Sequence, residues 1–304
     1  MVEKTAGLDS RFTIVGAGYR IHEPQERKPS FRQKLKGKPV VSIAVLTIII
    51  LGCVFAPIIA NHDPSAYYLD SLNIAPNSEY YFGTDSLGRD LFSIMFFGGR
   101  SSITIGILGA AIIAVIGTVY GCISGTVSDK ADSVLMRIVE LCGSIPTLLI
   151  ILIITAIFPA KNALTMSVVI GITGWFALAR IVRSEVRQIR NTEYVLYARS
   201  CNGKFLYVMW QHLIPNFLSA VMFVVVSNIS ACITTESTLS YLGLGLPLDI
   251  LSWGSMLSLA NKALIMNTWW VIIIPGLFLV VTLMCITNLG NFLRKETNRK
   301  ASNL

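Results

Sequence analysis

The chain has 304 residues, 53% of them hydrophobic and only 14% charged, with a formal net charge of +8 and a mean hydropathy of +0.64. Soluble globular domains carry roughly a quarter charged residues, so this composition excludes one and indicates a membrane protein. The basic excess lies beside apolar runs and no aromatic-basic nucleic-acid module accompanies it, so it reads as membrane topology and lipid contact, with no nucleic-acid partner expected.

Six uncharged runs meet the ~17 to 25 residues that a helical crossing needs. In chain order they are Val40 to Ala60, Ser101 to Val127, Leu141 to Phe158, Asn162 to Ala179, Phe217 to Thr235 and Trp269 to Leu289. The expected fold is therefore all-α, a polytopic protein of six transmembrane helices. Residues 1–39 hold few patterned apolar residues and read as a cytoplasmic N-terminal segment. The run 40–60 is too long and too far from the start for a cleaved signal peptide, so it is expected to stay as the first membrane helix.

Residues 61–100 form the expected extracellular loop. It is too long for a simple connection and carries Asp63, Asp70, Glu79, Asp85 and Asp90 against Arg89. Local pairing of Asp85, Arg89 and Asp90 and a merely solvated acidic loop are both open. In the second span Gly117, Gly121 and Gly125 are spaced four apart, after Gly106, Ala110 and Ala114. That small face lets another backbone approach and reads as packing.

In the fifth span Ser227, Ser230, Thr234 and Thr238 share one face, with Asn228 and Thr235 beside it. Such a stripe either lines a polar path or bonds across and along helices. Ser237 to Asn261 holds one charge, Asp249, with Gly243, Gly245 and Pro247, which suits a partly re-entrant or interfacial element better than a seventh span. Residues 101–292 make up the expected membrane core and 293–304 a cytoplasmic tail.

Charge asymmetry orients these spans. With a cytoplasmic N-terminus, the inner segments hold Lys4, Arg11, Arg20, Arg27, Lys28, Arg32, Lys34, Lys36 and Lys38, then Lys130 and Arg137, then Arg180, Arg183, Arg187, Arg190, Arg199 and Lys204, then Arg294, Lys295, Arg299 and Lys300. The opposite face holds Arg89, Lys161, Lys262 and the borderline Arg100. Both termini are therefore expected in the cytoplasm.

Chemistry-bearing constellations are lacking. The six cysteines are scattered through apolar segments without C-x-x-C spacing, and His22, His62 and His212 are far apart in sequence, so neither a disulfide framework nor a metal site is expected. The chain has no phosphate-cradling G-x-x-x-x-G-K-[ST] loop, no G-x-S-x-G elbow and no H-E-x-x-H helix, which argues against an enzyme and against a cofactor held by this chain. Coupled secondary transporters place ionisable groups at membrane depth. Here Glu140 and Glu236 come nearest, both at expected span ends, and no inverted repeat is evident.

The stretch Glu193 to Asn216, EYVLYARSCNGKFLYVMWQHLIPN, interrupts this apolar pattern. Phe205, Val208, Met209 and Leu213 recur at helical spacing, Asn202 and Gly203 suit a tight turn, and Pro215 closes the second piece. It reads as helix, turn, helix. Its apolar face, with Phe205 and Met209 as candidate anchors, rests either on lipid or in a protein partner.

At these residues the chain resembles permeases of ATP-binding-cassette importers of the dipeptide, oligopeptide and nickel family, closest to their C-type subunit. The stretch 193–216 resembles the family's cytoplasmic EAA loop, and FGTDSLGRDLFS at 82–93 and TESTLSYLGLGLPLDILSWGSML at 235–257 agree with the family in order and spacing. Tyr197, Asn202 and Gln211 depart from it, standing where the family has Ala, Gly and a basic residue.

The resemblance implies a type I importer transmembrane domain in a bacterial plasma (inner) membrane. It also implies a second related permease subunit, two ATPase subunits that bind ATP and Mg, and an extracellular binding protein that delivers the solute. Carried over by position, the ATPase-docking set is Glu193, Tyr194, Ala198, Arg199, His212, Pro215 and Asn216. The solute is a peptide, nickel or a metal chelate. A secondary transporter is the reading of another class, and the ion-relay argument counts against it.

Overall fold

The computed structural model describes residues 38–158, 162–200 and 205–301. Regular structure among the described residues is helical, apart from one isolated bridge between Thr84 and Asp90. The chain opens with α1, Val40–Val54, which stops at Phe55 before the short α2, Ala56–Ile59, whose Pro57 fits a first helical turn because it has no N–H to leave unpaired.

The helix α3, Leu91–Thr126, is 36 residues long and spans about 54 Å. It begins at Leu91 rather than at the expected Ser101, so the loop 61–100 is shorter than the sequence suggested. The cause is capping: the Asp90 carboxylate accepts from Ser93 N at 2.9 Å and Ser93 Oγ at 2.6 Å. Arg100, which ended the uncharged run, sits inside this helix. Its guanidinium donates to the carbonyls of Cys53 and Val54, each at 2.6 Å, and thereby closes the end of α1.

Next come α4, Asp129–Gly143, and α5, Thr147–Ile157, bent by 77° at the break before Pro146. A second bent pair follows: α6, Ala163–Gly174, and α7, Phe176–Ile189, meeting at 49° around Trp175. The third and fourth expected spans thus fall on broken helices. The remaining elements are α8, Glu193–Ser200, α9, Phe205–Val208, a π-helical segment Met209–Leu213, α10, Ile214–Tyr241, α11, Trp253–Leu257, α12, Ala260–Ile265, and α13, Trp270–Ala301.

Three of these helices, α3, α10 and α13, hold stretches long and apolar enough to cross a membrane, and the count rises to five if each bent pair is one span. The apolar α1 has 15 residues, about 22 Å, short of a full crossing on its own. Six crossings are therefore not reproduced by helix length. The segment between α10 and α13 holds the short helices α11 and α12 and no helix long enough for a seventh span.

The small face of α3 packs as its spacing indicated. A Cβ on Gly117 would lie 3.0 Å from Leu178, one on Gly121 would lie 2.7 Å from the Ala179 carbonyl, and one on Gly125 would lie 2.7 Å from Val186. The helix α7 thus seats directly on α3 backbone. Below this contact, Asp132 of α4 is buried, accepts from Ser124 Oγ at 2.5 Å and pairs with Arg183 and Arg187 of α7. Arg190 reaches the end of α3, donating to the Gly125 carbonyl at 3.1 Å. Arginines that the sequence offered only as topology markers also lock three helices together.

Candidate functional site

In the stretch 193–216 the structure describes a helix on either side of the expected turn, α8 before it and α9 with the π segment after it. Asn202 and Gly203 lie outside the described residues, as do the side chains of Tyr194, Ala198, Arg199, Phe205, His212, Pro215 and Asn216. What is described sorts into two faces. Val195, Val208, Met209, Leu213 and Phe217 are buried in the same apolar cluster as Leu178, Val182 and Val186 of α7. Glu193, Ser200 and Gln211 are exposed, and so are three aromatic rings: Tyr197 at 73%, Tyr207 at 56% and Trp210 at 66%.

This corrects the expectation for Met209. At 3% exposure it is an internal packing residue and cannot serve as a surface anchor in this conformation. Periodicity revealed an apolar face but carries no information on whether that face meets the chain's own bundle or a partner. Among the described residues the exposed surface of the stretch is largely aromatic, and Tyr197, a departure from the resembled pattern, belongs to it.

The stretch feeds into α10 through the π segment, where i→i+5 bonding replaces the α pattern. The hydroxyl stripe then divides. Thr234 and Thr238 bond back to the carbonyls of Ser230 and Thr234, each at 2.8 Å. Ser227 Oγ lies 3.6 Å from the point that a Cβ on Gly290 of α13 would occupy. Asn228 Nδ2 and Ser230 Oγ are buried without a hydrogen-bond partner, Thr235 is half-buried, and Thr234 is exposed. The stripe is thus part packing surface and part open face.

At the far end of α10 the chain places a polar cluster that the sequence reading missed. Glu236, assigned there to a span end, lies inside the helix and is fully buried. Its Oε1 accepts from Ser252 Oγ at 2.8 Å and Ser240 Oγ at 2.9 Å. The short α11 is bound from the other side by α3: Trp253 N donates to Ser102 Oγ at 3.1 Å, and the indole N–H to the Met95 carbonyl at 2.9 Å.

The loop 61–90 packs on this end. Arg89 is buried, its Nε donating to Asp85 Oδ2 at 2.8 Å and its Nη1 to the Leu248 carbonyl at 3.2 Å. Asp85 also accepts from Leu87 N and Arg89 N, while Asp90 caps α3 as described. Trp270 Nε1 adds a bond to the Thr84 carbonyl at 3.0 Å. Of the two readings of Asp85, Arg89 and Asp90, the structure selects the built one: a buried network. Among the described residues no group of three His, Cys, Asp or Glu side chains is placed to hold a metal ion.

Known proteins share this arrangement of sequence. Residues 117–299 match the family model described as the binding-protein-dependent transport system inner membrane component. The chain is 34% identical over 261 residues to the oligopeptide transport system permease protein OppC of Bacillus subtilis (strain 168), covering 86% of this chain and 85% of that protein. It is 31% identical over 272 residues to the dipeptide transport system permease protein DppC of the same organism, covering 89% and 85%. Against OppC of Escherichia coli (strain K12) it is 34% identical over 263 residues, 86% of each chain. The matched span includes the stretch 193–216, α10 and the Glu236 cluster. An integral membrane protein of helices alone among its described residues, matched over more than half its length, the chain belongs to the family of binding-protein-dependent transport system inner membrane components.

Proposed function

We propose that this chain is a permease subunit of an ATP-driven importer that takes up peptides across a bacterial plasma membrane. The observation that carries the reading is coverage: relatives named as oligopeptide and dipeptide permeases align over about 85% of both partners' lengths. A second related permease completes the path, two ATPase subunits hydrolyse ATP with Mg, and an extracellular binding protein delivers the peptide. This chain is not itself an enzyme.

The stretch 193–216 is the coupling element, on the cytoplasmic side together with both termini. Its exposed rings Tyr197, Tyr207 and Trp210 give it the aromatic character that anchors interfaces, and Glu193, Tyr194, Ala198, Arg199, His212, Pro215 and Asn216 are the docking residues that the resemblance carries over. Of the expected path residues Ser227, Asn228, Ser230, Thr234 and Thr235, the exposed Thr234 is the member we assign to the path face, while Ser227 packs toward α13. The test is reconstitution of the complete five-subunit complex in liposomes with labelled di- and oligopeptides. ATP-dependent accumulation that requires this chain is the expected result, and its absence with all components assembled overturns the reading.

A further inference from the structure

The cluster around Glu236 is not used by the coupling stretch. Glu236 is fully buried, and its recorded partners among the described residues are serine hydroxyls: Ser252 and Ser240 on Oε1, and Ser237 on Oε2 at 3.4 Å. Ser240 Oγ also accepts from Leu246 N at 3.2 Å. The turn between closes as a Schellman motif: Gly243, at φ +76°, donates to the Ser240 carbonyl and Leu244 to the Leu239 carbonyl, each at 2.9 Å. Gly254 brings α11 against α10, since a Cβ there would lie 2.6 Å from Ser237 Cα.

The segment held in this way is short. The five-residue α11 has too few internal bonds to hold itself in place, so its position depends on its tethers. On one side these are Ser102 and Met95 of α3, with Arg89 Nη2 donating to Met256 Sδ at 3.7 Å, and on the other Glu236 of α10. The helix α10 is a continuous run of 28 residues, about 42 Å, from the π segment of the coupling stretch to Glu236's last turn.

We propose that Glu236 is a positioning residue for transport: it fastens the segment 243–257 to the outer end of α10, so that a displacement begun at the coupling stretch repositions that segment. This rests on the importer reading above. Two features favour fastening over packing alone. A single carboxyl joins the N-cap of α11 to the last turns of α10, and the backbone approach at Gly254 leaves no slack between them.

The experiment compares Glu236→Gln, Glu236→Leu and Ser252→Ala in the complete complex in proteoliposomes, reading peptide accumulated per ATP hydrolysed. Gln keeps an acceptor oxygen for Ser252 and Ser240, whereas Leu fills the space with none. Expected is a ratio about tenfold lower for the Leu variant, within the usual range of coupling free energies, with hydrolysis retained. Gln should stay near wild type and Ser252→Ala fall between them. An unchanged ratio in the Leu variant, or Gln as damaging as Leu, overturns the proposal. So does loss of hydrolysis and import in strict proportion. If the Leu variant does not assemble, Ser252→Ala decides by the same ratio. A wild-type complex that imports no peptide overturns the importer reading instead.

Discussion

Arg89 Nε donates to Asp85 Oδ2 across 2.8 Å, and both side chains are buried, at 2% and 0% exposure. Removing one member of a buried ion pair strands the other and costs about 3–5 kcal/mol, while removing both charges costs far less. Arg89→Met should therefore lower the thermal unfolding midpoint in detergent more than Asp85→Asn combined with Arg89→Met does. Asn keeps a carbonyl oxygen for the N–H groups of Leu87 and Arg89. A double variant as unstable as the single would show that Arg89 matters through its contacts with the Leu248 carbonyl and Met256 Sδ alone.

Glycines in this protein are separable by what surrounds them. Gly121→Ala places a methyl 2.7 Å from the Ala179 carbonyl and from Val182 Cβ, and overpacking of this kind costs about 1–3 kcal/mol. Gly276→Ala meets nothing within 4 Å, and in a helix interior it should stabilise by roughly 0.5–1 kcal/mol. Thermal midpoints that move in opposite directions are the expected result. A neutral Gly121→Ala would mean that α3 and α7 separate easily.

Those two glycines also mark what the sequence makes legible. The four-residue spacing of Gly117, Gly121 and Gly125 announces a close helix contact because small residues at that period have few other uses in lipid. The two short helices of 193–216 are legible from their apolar spacing. Helix boundaries are less so: counting uncharged residues stops α3 at Arg100, although Asp90 with Ser93 is a capping pair that sequence displays. Glu236 was hidden because burial of a carboxyl depends on hydroxyls sixteen residues away at Ser252, a pairing that no local pattern announces. Met209 was misassigned because an apolar face has no label for its partner.

The two faces of the coupling stretch predict different failures. Trp210→Ala removes an exposed ring of the kind that dominates interfaces, and should weaken copurification of the ATPase by about 2 kcal/mol or more while leaving thermal stability unchanged. Met209→Ala opens a cavity in the apolar cluster shared with α7 and should cost about 2–5 kcal/mol of stability. If Trp210→Ala leaves ATPase binding intact and Met209→Ala abolishes it at full stability, the inward and outward faces have been exchanged and the docking surface lies elsewhere.

Orientation is tested with the exposed residues Ser78 and Ser200. In a background without native cysteines, an impermeant thiol reagent should label a cysteine at position 78 in intact cells. It should label one at position 200 only after permeabilisation. Labelling at 200 from outside would place the stretch 193–216 beyond reach of any ATPase.

The hydroxyl stripe of α10 gives the last test, because the structure separates its members. Ser227 faces Gly290 of α13, so Ser227→Leu should disturb the packing of α10 on α13 and lower the yield of assembled complex. Thr234 is exposed and its hydroxyl is already bonded to the Ser230 carbonyl, so Thr234→Leu changes a surface without stranding a buried group. If that surface faces the path, the Leu variant should assemble normally and hydrolyse ATP normally. Peptide uptake should fall with the length of the peptide, since bulk in the path obstructs long solutes more than short ones. Uptake at wild-type rates for di- and oligopeptides alike would remove α10 from the path and assign its hydroxyls to helix packing, where Ser and Thr commonly serve.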